Sequence, residues 1–112
     1  MGGRLGELEQ LLLMALVRRG GEASAIDLRE ELEERTGRVV LPGAVYTVME
    51  RMLERDFVSA YTGEATPERG GRRRKYYSLE RAGERALAHS YRQVRRMAEG
   101  IAARLERGLE GT

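Results

Sequence analysis

The chain is predicted to be mostly α (α+β): a winged helix-turn-helix with a two-stranded wing and a long C-terminal dimerisation helix. Three observations predict this. Leu41–Arg55 has helical periodicity with one inward apolar stripe. Asp56–Leu79 holds two short strand-forming runs around a segment rich in glycine and arginine. The helices before and after this unit carry more apolar surface than a small domain can cover alone. Residues 1–79 are expected to form the winged unit and residues 80–112 the dimerisation helix, packed together as one compact unit.

The size of the chain fits one domain with a modest core. Apolar residues are 41% and charged residues 34% of 112, ordinary for a helix-rich protein. With no cysteine there is no disulfide framework and no thiol chemistry, which fits a reducing cytoplasm. The N-terminus lacks the pattern of a signal peptide. The longest apolar run, Leu11–Val17, is too short to span a bilayer, so a cytoplasmic, non-membrane protein is expected.

Net charge is +2, but it is unevenly spread. Residues 1–62 hold 8 basic and 11 acidic side chains, and residues 63–112 hold 12 and 7, giving −3 and +5. Lys75 is the only lysine; every other basic residue is arginine, the side chain suited to bidentate phosphate and guanine contacts.

Leu5–Arg18 is predicted as the first helix. Leu5, Leu8, Leu12, Ala15 and Leu16 form one stripe, while Leu11, Leu13, Met14 and Val17 fill other faces. A helix apolar nearly all round needs cover on two sides, one from its own core and one from a partner subunit. Gly20-Gly21 ends it. Ser24 is placed to cap the second helix, with Asp27 completing a near capping box. Ala25, Leu28 and Leu32 face inward there. Asp27, Glu30, Glu31, Glu33 and Glu34 make this helix acidic, so most of it points away from any nucleic acid. Thr36-Gly37 stops it.

Pro42 suits the first turn of the third helix, where its missing N–H costs nothing. Val45, Val48, Met49, Met52 and Leu53 give the inward stripe. Gly43, Thr47, Glu50, Arg51 and Glu54 lie opposite. The second and third helices with their short link have helix-turn-helix geometry. Phe57–Thr62 and Arg74–Leu79 are the wing strands, with Gly63, Pro67, Gly70 and Gly71 in the turn between them. Glu80–Gly108 is the last helix. Leu87, Tyr91, Val94, Ala98, Ile101 and Leu105 step by 4, 3, 4, 3 and 4, the spacing of a coiled-coil seam. Gly100 inside it marks a bend.

The main chemical signal is Arg69-Gly70-Gly71-Arg72-Arg73-Arg74-Lys75. Concentrated positive charge neutralises DNA phosphates and releases counterions, and double-stranded DNA is the expected partner. The third helix is the candidate for the major groove. Pro42, Gly43 and Ala44 allow close approach, and Thr47 can meet base edges or thymine methyls. Tyr46 sits at the border of the buried face, either bonding a phosphate or simply packing there. Arg51 either reaches the DNA backbone or pairs with Glu50 or Glu54. Few long base-reading side chains are present, which shifts weight to shape readout. No constellation suggests an enzyme, a metal site or a cofactor. His89, the one histidine, has no carboxylate or cysteine cluster near it in sequence.

These residues resemble the PadR family of bacterial transcriptional regulators. Leu5-Gly6-Glu7-Leu8-Glu9 with Leu11–Leu16 is similar to that family's opening helix. Gly43-Ala44-Val45-Tyr46 with Glu50-Arg51-Met52 is similar to its recognition helix. Gly71–Leu79 followed by Ala82-Gly83 resembles its wing and exit, and is the most specific match. The resemblance implies a homodimer built from the first helix (Leu5, Leu8, Leu12) and the last (Leu87 to Leu105), each wing and recognition helix on one half-site. It also implies repression, often relieved by a small aromatic or cationic effector. The chain departs from the family at Leu41-Pro42, where a serine cap is common, and at Arg73, where proline is common. It has no tryptophan to sandwich a planar compound; Tyr91, Met97 and His89 are the remaining candidates, core or seam packing being the alternative for each.

A rival expectation stays open from the residues alone. The modest net charge and acidic second helix also suit a winged helix that holds a protein partner without specific DNA binding.

Overall fold

The structure, a computed structural model, describes residues 4–64 and 73–110. Its elements in order are α1 (Glu7–Arg18), β1 (Glu22–Ser24), α2 (Ala25–Thr36), α3 (Pro42–Glu54), β2 (Val58–Thr62), β3 (Lys75–Leu79), α4 (Arg81–Ala98) and α5 (Ala102–Leu109). The three strands form one antiparallel sheet in the order β1-β3-β2.

Local chemistry sets most of the boundaries. α2 begins at a reciprocal capping box: the Asp27 amide donates to Ser24 Oγ at 3.2 Å and the Ser24 amide to Asp27 Oδ2 at 3.1 Å. It ends at Gly37, which takes the left-handed conformation at φ 75°. α3 starts with Pro42 in its first turn after Leu41, which supplies no side-chain cap. The C-terminal end of α1 is tied to the middle of α2 by Glu31, which accepts from Arg19 at 2.8 Å and lies 3.4 Å from Arg18. Arg29 Nε donates to the Val40 carbonyl at 2.6 Å and fixes the link into α3.

The core is a single cluster drawn from every element except α5. α1 contributes Leu12, Leu13, Ala15 and Leu16; α2 contributes Leu28 and Leu32. α3 adds Val45, Val48, Met49 and Met52, and the sheet adds Ala23, Val58 and Tyr77. The predicted stripes of α2 and α3 are therefore the buried ones. α4 joins the core only at its start. Leu87 is buried, and Gly83 lies so close to the Phe57 backbone that an added Cβ would stand 2.9 Å from the Phe57 carbonyl carbon.

The two-stranded wing is present and gains a third strand, and two further expectations need correction. The wing is part of a three-stranded sheet, because Glu22–Ser24 pairs with Ser78, Tyr77 and Tyr76 of β3. The last helix is not continuous over Glu80–Gly108: Gly100 adopts φ 84° and separates α4 from α5. Glycine reaches that conformation without a Cβ clash, so the break falls there. The seam is thereby split, with Leu87, Tyr91, Val94 and Ala98 on α4, Ile101 in the junction and Leu105 on α5. Finally, Leu5, Leu12 and Leu87, expected at a seam, are closed inside the chain's own core, Leu12 completely. Leu12 therefore has no surface left for a second chain, and Leu5 and Leu87 have little.

Candidate nucleic-acid interface

α3 turns two different faces outward and inward. Its stripe packs against α1, α2 and the sheet, with Val45, Val48, Met49 and Met52 buried and Leu53 half-buried. Pro42, Gly43, Tyr46, Thr47 and Arg51 are exposed, and Ala44 is half-buried. No side chain lies near a Cβ built on Gly43, so the N-terminal end of α3 presents an open, low-relief surface. Leu41, at the cap position, is 75% exposed.

The wing rises beside this face. β2 and β3 pair over five residues, from Val58 opposite Leu79 to Thr62 opposite Lys75. The Gly63 amide donates to the Arg74 carbonyl at 2.7 Å and continues the pairing by one step. Tyr61 and Tyr76 stack at 5.4 Å across the hairpin, and the Tyr61 hydroxyl donates to Glu22 Oε2 at 2.7 Å. That hydrogen bond to a carboxylate raises the Tyr61 pKa. The wing base is thus braced by β1 on one side and by its own ring stack. Arg73 is exposed and Arg74 half-buried at the foot of the hairpin. Arg69 and Arg72 lie outside the described residues, as do Pro67, Gly70 and Gly71 of the turn.

Lys75 sits differently from its expected place on an open basic surface. Its Nζ is 2.8 Å from Glu50 Oε2 on α3. The Tyr77 hydroxyl donates to the same oxygen at 2.7 Å. Hydrogen bonds from Lys75 and then Tyr77 hold the Glu50 carboxyl below its ordinary range, against a smaller opposing effect of burial. Burial first, and the Glu50 hydrogen bond second, push the Tyr77 phenol up. Sequence spacing had placed Glu50 only on the outward face of α3. Its partners lie 25 and 27 residues away, so periodicity contains no trace of the pairing. Arg51 makes no ion pair with Glu50 or Glu54 among the described residues and points to solvent.

A second exposed surface lies along α4 and α5. Tyr91, Val94, Met97, Ile101, Leu105 and Leu109 of α4 and α5 are all solvent-exposed. Of these, Tyr91 also lines an apolar groove of about 560 Å³ between α1, α2 and the start of α4, with Leu11, Met14, Val17, Leu32 and Leu87 among its other walls. Leu8 is half-buried at the edge of α1. Among the described residues no group of His, Cys, Asp or Glu is placed to hold a metal ion, and no helix is long and apolar enough to cross a membrane.

Comparison with known proteins bears on this geometry. The model of the Transcriptional regulator PadR-like family matches residues 12–89. No protein of curated function matches the sequence. Among solved structures, a PadR-like transcription factor from Bacteroides fragilis is 27% identical, with a TM-score of 0.69, over 86% of this chain and 87% of that one. A PadR family transcription regulator from Clostridium difficile R20291 is 21% identical, with a TM-score of 0.71, over 89% and 99%. The PadR of Bacillus subtilis, solved in complex with operator DNA, is 21% identical, with a TM-score of 0.64, over 74% of this chain and 45% of that one.

Proposed function

We propose that this chain, which belongs to the PadR-like family of transcriptional regulators, is a homodimeric repressor of a pseudo-palindromic operator. The family consists of winged-helix DNA-binding regulators, not enzymes. The observation that carries the finer reading is the buried backing of α3 beside a braced wing. The outward side of α3 and the foot of the hairpin meet where Lys75 reaches Glu50.

In this reading the N-terminal end of α3 enters the major groove. Pro42, Gly43 and Ala44 let the backbone come close, and Thr47 meets base edges. Tyr46 and Arg51 reach phosphates on either side. Arg69, Arg72, Arg73 and Arg74 supply the charge that displaces counterions. Lys75, already paired to Glu50, serves mainly at the junction of wing and helix. The operator-bound Bacillus subtilis relative supports this arrangement by its fold.

The exposed stripe of α4 and α5 supports the dimer. Residues 1–79 act as the reading unit and residues 80–112 as the pairing segment, with Gly83 and Leu87 tying the two together. Leu8, Tyr91, Val94, Ala98, Ile101 and Leu105 form the self-association surface. Two copies then present their reading helices about 34 Å apart, one turn of duplex. Release by a small aromatic or cationic compound belongs to the same proposal, with Tyr91 at the groove as the available aromatic surface. A cytoplasmic location goes with it.

The test is a gel-shift titration against the DNA upstream of the protein's own gene, at two salt concentrations. Sequence-preferring binding that weakens steeply with salt is expected. Equal affinity for every duplex eliminates a specific regulator and favours a winged helix that holds a protein partner.

A further inference from the structure

The contact between α3 and the wing converges on one oxygen atom. Glu50 Oε2 accepts from Lys75 Nζ at 2.8 Å and from the Tyr77 hydroxyl at 2.7 Å. Lys75 and Tyr77 are two residues apart on β3 and so lie on the same face of the sheet. Their two donors therefore grip the carboxylate from one strand. The Lys75 ammonium is also 5.8 Å from the centre of the Tyr46 ring and 5.7 Å from that of Tyr77. Tyr46 belongs to the outward face of α3, whereas Tyr77 is fully buried. A chain of contacts thus runs from the core, through Tyr77, Glu50 and Lys75, to the helix surface.

We propose that Glu50 is a positioning residue: its carboxylate fixes the wing against α3 so that both engage the same duplex. This rests on the DNA-binding reading above. Charge by itself argues for the opposite effect. A carboxylate near the phosphates repels them, and neutralising it strengthens attraction to any duplex. Positioning and charge therefore predict opposite signs when Glu50 is changed, and the sign identifies which one governs. Tyr77 offers an independent approach. Removing its buried hydroxyl alters no charge and no exposed surface, yet takes away one of the two donors.

The duplex for the test is the one wild-type protein enriches from a randomised pool, with a scrambled duplex alongside. Binding is read well below the melting temperature of each variant. Glu50→Gln is expected to weaken binding to the selected duplex roughly tenfold, the scale of one lost base-pair preference. Binding to the scrambled duplex stays equal or tightens. Tyr77→Phe is expected to weaken the selected duplex in the same direction. Equal or tighter binding of the selected duplex by both variants overturns the proposal.

A second measurement needs no DNA. The chain has no cysteine, so Glu54→Cys on α3 and Thr62→Cys on β2 accept spin labels without interference. The distance distribution is expected to be narrow with Glu50 present and clearly broader with Glu50→Gln. An unchanged width overturns the positioning role. Should the wild-type protein enrich no duplex, the regulator reading fails, while the label distances still decide what Glu50 does.

Discussion

α3 and the α4–α5 arm carry the same kind of amphipathic pattern and meet opposite fates. Val45, Val48, Met49 and Met52 of α3 are all buried, enclosed by α1, α2 and the sheet. Tyr91, Val94, Ile101 and Leu105 of the arm are all exposed. α4 is pinned by Gly83 and Leu87, then runs off the domain, and after Leu87 no described residue is buried. An apolar stripe states that a face needs cover. It does not state whose. In α3 the cover comes from the same chain; in the arm it is left for a second copy under the proposed function.

The contrast can be challenged by substitutions, taken from the largest expected effect on folding to the smallest. Leu12→Ala removes a fully buried side chain that had been expected at a seam. It should cost about 2–5 kcal/mol in chemical denaturation, as core truncations do. A cost below about 0.5 kcal/mol, the scale of surface changes, would move Leu12 out of the core. Gly83→Ala forces a Cβ into the Phe57 backbone, and overpacking there should cost about 1–3 kcal/mol. Gly100→Ala is the counterpart in the arm. Nothing lies within 4 Å of a Cβ there. Because φ is 84°, alanine should favour joining α4 to α5, which raises the helical circular dichroism signal without touching the core.

The Glu50 junction adds a pH dependence. Its folded pKa is lowered from 4.5, chiefly by the Lys75 hydrogen bond and then by Tyr77. A lowered folded value means the contribution is fully present above the unfolded pKa. It is lost as pH falls through the folded one. Melting curves should show this loss on the acid side of 4.5 in wild type and a flatter acid limb in Glu50→Gln. The Tyr77 phenol is shifted the other way, upward from 10.0. Its contribution persists below that value and is lost on the alkaline side, a loss that Tyr77→Phe removes.

Asp56 makes the turn from α3 into the sheet with φ 60°, the left-handed region. Asp56→Gly should stabilise the fold by up to about 1 kcal/mol, because glycine carries no Cβ penalty there. Leu105→Asp should leave the stability of the dilute chain within about 0.5 kcal/mol, the scale of surface substitutions. The same change should raise the concentration at which sedimentation shows self-association. Unaltered sedimentation would remove the arm from the proposed dimer surface.

Much of this was legible in the sequence because it is local. The capping box at Ser24 and Asp27, proline at the head of α3, and the stripes of α2 and α3 all follow from residues within one or two turns of each other. The outward face of α3 was legible for the same reason, as the complement of its stripe. β1 escaped notice because three residues carry no period; its strand character comes from pairing with β3 more than fifty residues on. For Glu50 the sequence offered only Arg51, its neighbour on the helix, since helical spacing cannot reach Lys75 or Tyr77 on β3.

By itself, then, the sequence determined where helices begin, which of their faces are apolar, where basic charge collects and which family the chain resembles. These follow from backbone propensity, side-chain period and composition. Only the tertiary structure decided how the apolar surface divides between a core closed by the chain, at Leu12 and Leu87, and an arm left open, at Tyr91 and Leu105. It alone brought Glu50 to Lys75 and Tyr77. The physical reason is that burial and long-range pairing depend on what packs against a residue, and a one-dimensional pattern records only that something must.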